Sequence, residues 1–179
     1  GGFPDRGAAC LCAWAMAARE RVVAWARSQV RQSVLWAGRG ESIFGSVTRK
    51  RRPSGYAEPV FDCSGLVACA LIQAGGPDLR GTHNAQMMHD ATETNPAITP
   101  QAGELVFYGA SPSGIVHVAI TLNDGACISA DGATRRITSL DVAKKAGARV
   151  RVHDVLRYRS ERFFTVHRNR WVDELDRVC

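Results

Sequence analysis

Two hydrophobic rhythms run along the chain, a helical one in its first half and a shorter, strand-like one in its second. Val22, Val23, Trp25 and Ala26 continue an apolar stretch that begins near Ala8, and together they predict a long helix over about residues 7 to 33. Leu66, Val67, Ala70 and Leu71 recur at helical spacing and Gly75-Gly76 supplies a stop, so a second, apolar helix is predicted to start at Cys63. From Glu104 onward the apolar runs become short and β-like. Gly103 to Tyr108, Gly114 to Leu122 and the alternating Ala126 to Ala130 read as strands, the last two joined through Asn123-Asp124-Gly125, a hairpin-turn signal. Val150-Arg151-Val152 reads as the last core strand. The pattern predicts an α+β fold in which the apolar helix packs on an antiparallel sheet. It divides one domain into a helical segment (1–33), a core (34–157) and a C-terminal extension (158–179).

The chemistry concentrates where the second helix begins. Phe61-Asp62-Cys63-Ser64-Gly65 sets a cysteine in the first helical turn, where unpaired backbone N–H groups and the positive end of the helix dipole favour a thiolate and can hold an oxyanion. Cys63 is thus the candidate nucleophile, expected to have a lowered pKa. Its candidate base is His117, alone at the centre of a β-type run, and the hairpin would set Ser129 on the next strand beside it. Asp131, two residues on, shares Ser129's strand face and is the alternative third residue.

Three blocks, FDCSGLV at residues 61–67, GELVFY at 103–108 and His117-Val118-Ala119-Ile120 before a glycine turn, resemble the NlpC-type family of papain-like bacterial cell-wall cysteine peptidases over roughly residues 22 to 157. The resemblance implies a papain-like fold, Cys63 as nucleophile, His117 as general base, and Ser129 where the family has histidine, asparagine or glutamine. It also implies hydrolysis of stem-peptide amides of peptidoglycan, the bond between γ-D-glutamate and the diamino acid above all, with no cofactor. Asp62 and Ser64 match substrate-holding positions of the family, and Arg80, in Leu79-Arg80-Gly81-Thr82, matches its carboxylate clamp. Val34 stands where the family has a tyrosine, and Tyr56 is the candidate replacement. Two other classes stay open, an acyl or amide transferase using the same thioester and a catalytically weak wall-binding or structural module.

Composition narrows the setting. At 179 residues and 45% hydrophobic content the chain can bury a full core without disulfides, and Cys10, Cys12, Cys63, Cys69, Cys127 and Cys179 follow no framework spacing. Cys69 and Cys127, inside apolar runs, read as small core residues. A net charge of +6 favours an anionic target such as cell wall. The run Arg49-Lys50-Arg51-Arg52 reads first as a solvated loop and second as a wall-attracting patch. Nucleic acid ranks last, since no aromatic-basic platform or helix-turn-helix pattern accompanies the run. His83 and His89 lack a CxxC or HExxH companion and read as loop residues, so no metal is expected. No membrane span or export signal is legible, which makes phage virion or lysin delivery to the wall an expectation. The aromatics after residue 158 are expected to dock on this domain or on a protein partner.

Overall fold

The computed structural model of the chain describes residues 16–31, 61–97, 99–132, 137 and 139–178. In chain order these give α1 (Ala18–Ser28), α2 (Cys63–Gln73), α3 (Ala85–Asp90), β1 (Leu105–Gly109), β2 (Ile115–Thr121), β3 (Cys127–Asp131), α4 (Leu140–Ala146), β4 (Arg149–His153), β5 (Phe163–His167) and α5 (Arg170–Val178). The strands form one antiparallel sheet in the order β4-β3-β2-β1-β5. Helices packed on such a sheet make the α+β architecture that the hydrophobic pattern predicts.

Helix α2 begins and ends as its sequence dictates. Asp62 caps it, its carboxylate accepting the Gly65 N–H at 2.6 Å. At the other end the Gly76 N–H reaches back to the Leu71 carbonyl at 2.8 Å, a closure that needs the left-handed backbone of Gly75 (φ +88°). Every residue from Ser64 to Leu71 is buried, because α2 lies between α1 on one side and strands β2 and β3 on the other. Full burial of a side chain such as Leu66 or Leu71 contributes about 1.5–3 kcal/mol.

The period of two along each strand sorts side chains onto opposite faces of the sheet. Leu105, Phe107, Val118, Ile120, Ile128 and Val150 join α2 in the main core. Val106, Tyr108, Ala119 and Cys127 form a second cluster on the other face, with Leu156, Tyr158, Phe164 and Val166 packed against it. By the same alternation His117 falls in step with Ala119, and Ser129 and Asp131 with Cys127, so all three belong to the second face.

The structure revises several predicted boundaries. The first helix ends at Ser28 rather than near residue 33, and Arg31 turns into the left-handed region (φ 78°) while its N–H bonds to Val150. The stretch holding His89 is a short helix, not a loop, since Asn84 caps it by accepting the Met87 N–H at 2.9 Å. Val150–Val152 does not close the sheet: β5 follows and pairs with β1 along its whole length. The segment after residue 158 therefore docks on this domain, with β5 in the sheet and α5 against α1 through Arg19–Asp173 (2.6 Å) and Ala18 N–H to Asp176 (2.5 Å). Among the described residues no helix is long and apolar enough to cross a membrane.

Candidate active site

Cys63 is the first residue of α2 and partly exposed, and the backbone amides of Ser64 and Val118 are near enough to its sulfur to favour the thiolate. Val118 follows His117 on β2, so the thiol lies near the strand that carries the histidine. Asp62 and Ser64, predicted to hold substrate, are engaged at the helix start: the buried Ser64 hydroxyl donates to the capping carboxylate at 3.3 Å.

The expected lowering of the thiol pKa is overturned. Burial of the sulfur, reinforced by the Asp62 carboxylate, pushes Cys63 up to about 12, against the smaller opposing pull of the two amides and of Arg159. Backbone dipoles at the helix start favour the thiolate, but burial removes the water that a thiolate needs, and the N-cap that starts the helix is itself an anion.

His117 is 6% exposed, and burial lowers its pKa against the pull of the Asp131 carboxylate, which accepts from the ring. The thiol and the imidazole are therefore both neutral at rest. The Nε2 edge of the ring meets the Tyr158 hydroxyl at 2.7 Å and Asp131 Oδ1 at 3.4 Å. Tyr158 donates to the same Asp131 oxygen at 3.0 Å and also contacts the fully buried Ser129 hydroxyl at 2.7 Å. His153 bonds to the other Asp131 oxygen and stacks flat on the Tyr158 ring, centroids 3.5 Å apart. Burial pushes the Asp131 carboxyl up, but the bonds and charge of His117, with His153 and Ser129, outweigh it and hold the group well below the usual carboxylate range. Burial and the Asp131 charge raise the Tyr158 phenol, which stays protonated. A cavity of about 400 Å³ lies beside this network, lined by Asp131, Arg151, His153, Tyr158, Arg159 and Glu161.

The structure thus sets the Cys63 thiol, at the start of α2, near the Val118 amide one residue along β2 from His117, and joins Ser129 and Asp131 in one network on the Nε2 side of the ring. Ser129 meets the Tyr158 hydroxyl, and that hydroxyl meets the imidazole. Arg80 stands elsewhere, its Nε and Nη2 both bonded to Asp78 at 2.6 Å, with its charge felt at Cys69, two turns along α2 from the thiol. Tyr56, Val34 and the basic run 49–52 lie outside the described residues. Cys69 and Cys127 are buried among apolar neighbours. His83 packs edge-on against Trp171, and His89 against Phe107. Sequence reasoning passed over Tyr158 and His153. Tyr158 follows Asp131 by 27 residues across a helix and a strand, and no local pattern marks it.

A thiol at a helix start, with an imidazole and an acid carried on the adjoining antiparallel sheet, defines a papain-like site. The sequence profile of the NlpC/P60 family matches residues 36–157, and the chain belongs to that family. It is 32% identical over 141 residues to the peptidoglycan endopeptidase RipB of Mycobacterium tuberculosis, an alignment covering 78% of this chain and 54% of RipB. The chain therefore spans about half the length of the curated relatives it matches. The solved structure of RipB, a peptidoglycan hydrolase, superposes with a TM-score of 0.55 at 28% identity, covering 84% of this chain and 64% of that one. RipD of Mycobacterium tuberculosis, a non-catalytic NlpC/P60 domain protein adapted to peptidoglycan binding, superposes with a TM-score of 0.54, covering 86% and 98% of the two chains. At 24% identity that likeness carries the fold alone.

Proposed function

We propose that the chain is a cysteine peptidase that hydrolyses stem-peptide amide bonds of peptidoglycan, with Cys63 as nucleophile and His117 as general base. The observation that carries the reading is an acid and a phenol gripping the Nε2 edge of the His117 imidazole, with the Cys63 thiol near the amide of the next residue on β2. Family membership and the likeness to RipB, an endopeptidase of peptidoglycan, support the substrate class.

With both groups neutral at rest, attack proceeds by general-base catalysis rather than from a stored thiolate. His117 takes the Cys63 proton as the sulfur bonds to the amide carbonyl carbon, and N–H groups at the start of α2 stabilise the oxyanion. The C–N bond then breaks, the imidazolium gives its proton to the leaving amine, and a thioester remains. Water, deprotonated by His117, adds to the thioester, and the carbon–sulfur bond breaks to return the thiol. Asp131 lies where it offsets the transient positive charge on the ring. Asp62, Ser64 and Arg80 are proposed to hold the peptide, and the γ-D-glutamyl–diamino acid bond is the proposed point of cleavage. The reading requires no cofactor. It places the activity at the cell wall, outside the membrane or in the periplasm. Phage delivery gains no support from the curated relatives, which are Mycobacterium tuberculosis proteins, and is not carried further.

The neutral, raised thiol is also what a peptidoglycan-binding module without catalysis would have, so the test separates the two. Purified peptidoglycan is incubated with parent protein and with Cys63→Ala, and soluble products are read by mass spectrometry with and without an added amine nucleophile. Free stem-peptide fragments from the parent and none from the variant are expected. Equal release by both would sink the peptidase assignment, sedimentation with peptidoglycan without any release would mark a binding module, and products carrying the added amine would mark a transferase.

A further inference from the structure

We infer that Tyr158 is a positioning residue for His117, its hydroxyl relaying the hold of Asp131 to Nε2 and fixing the imidazole as the tautomer whose Nδ1 carries no proton. The catalytic consequence rests on the proposed roles of Cys63 and His117; the tautomer itself does not.

Each proton in the network has few places to go. An ionised Asp131 only accepts hydrogen bonds, whereas a phenol has one proton to give and lone pairs to receive. Tyr158 gives its proton to Asp131 Oδ1 at 3.0 Å. Its oxygen is then an acceptor for the two neighbours at 2.7 Å, the Ser129 hydroxyl and His117 Nε2. Both must donate, so Nε2 carries the imidazole proton. In the reverse tautomer Nε2 would claim the phenol proton, which would leave the phenol oxygen and Asp131 facing each other as two acceptors at 3.0 Å, with Nε2 a third at 3.4 Å from the carboxylate. The relay is braced from outside, since His153 bonds the second Asp131 oxygen and stacks on the Tyr158 ring.

The relay also accounts for a serine at the third position of the site. Its short hydroxyl does not have to reach the imidazole, because the tyrosine hydroxyl stands between them and bonds both. Tyr158 enters from the segment between β4 and β5, so part of the site's geometry is set by residues after the last strand that the sequence pattern predicted.

The test reads the tautomer directly. Parent, Tyr158→Phe and Asp131→Asn proteins, labelled with ¹⁵N-histidine, are compared above pH 7 by long-range ¹H–¹⁵N correlation of His117, alongside thermal unfolding and the pH profile of peptidoglycan hydrolysis. The parent is expected in the Nε2–H form. Tyr158→Phe mixes the tautomers, shifts the acid limb of kcat/KM, and lowers kcat about ten- to a hundredfold with KM within twofold. Asp131→Asn, whose amide can donate toward the ring, reverses the tautomer and lowers kcat by about 10²–10⁴. An Nδ1–H parent, or variants that fold normally with tautomer and pH profile unchanged, overturns the relay even if the protein hydrolyses peptidoglycan. A parent in the Nε2–H form that reverses in Asp131→Asn supports the relay, and if such a protein releases no product the peptidase reading alone fails.

Discussion

Phe107, Val118 and Ile128 leave the sheet toward α2, while Tyr108, His117 and Ser129 leave the same strands on the other side. Both sets are buried, yet they are held differently. The first face is apolar and its contacts do not change with protonation. The second holds two phenols, a carboxylate, an imidazole and a hydroxyl, buried or half-buried, and stays stable only while each proton has an acceptor: Tyr108 donates to the Leu156 carbonyl, and Tyr158 and Ser129 complete the Asp131 network. One face therefore supplies stability and the other chemistry. Cys63 itself packs against the main core, with its thiol near the Val118 amide on β2.

This contrast can be broken or sharpened by experiment. The largest expected effect concerns the thiol. With Cys63 pushed up to about 12, its reaction with iodoacetamide at neutral pH should be about three orders of magnitude slower than that of a free thiol. The raised pKa means fewer thiolates at any pH below it, so the rate should climb about tenfold per pH unit through the alkaline range. Fast alkylation that persists into mild acid would instead reveal a thiolate–imidazolium pair. Next comes Leu71→Ala on the apolar side, expected to cost about 2–5 kcal/mol in urea unfolding through the cavity it leaves, with the pH profile of hydrolysis unmoved. A shifted profile would mean that the two faces are coupled. The smallest effect is expected from Arg80→Ala. Because Asp78 already engages its guanidinium, KM for muropeptides should rise less than about tenfold, equivalent to less than about 1.4 kcal/mol. A larger rise would make Arg80 the carboxylate clamp.

What was legible in the sequence is what neighbours in the chain decide. An aspartate cap and a glycine stop bracket α2, and Asn123-Asp124-Gly125 joins β2 to β3, forming there as a tight 3₁₀ turn with Gly125 at φ +77°. Alternation along β3 put Ser129 and Asp131 on one face, which the network bears out. Two things depended on distant residues and were missed. The pKa of Cys63 is set first by burial of the sulfur, which tertiary packing decides and no reading of the helix start contains. Strand β5 and Tyr158 lie beyond the last recognisable alternation, in a stretch whose half-buried aromatics show no clean period of two.

Strand β5 also imposes an order in time. On the ribosome, β1 to β4 emerge before residues 163–167, so until those residues arrive β1 presents an unpaired row of backbone N–H and C=O groups. Tyr158 arrives in the same interval, after both strands that carry its partners. The nascent sheet can thus gather its apolar face first, while the imidazole acquires its Tyr158 contact only as the open edge is about to be sealed. Arming of the site and protection of the sheet from stray pairing fall within about ten residues of synthesis.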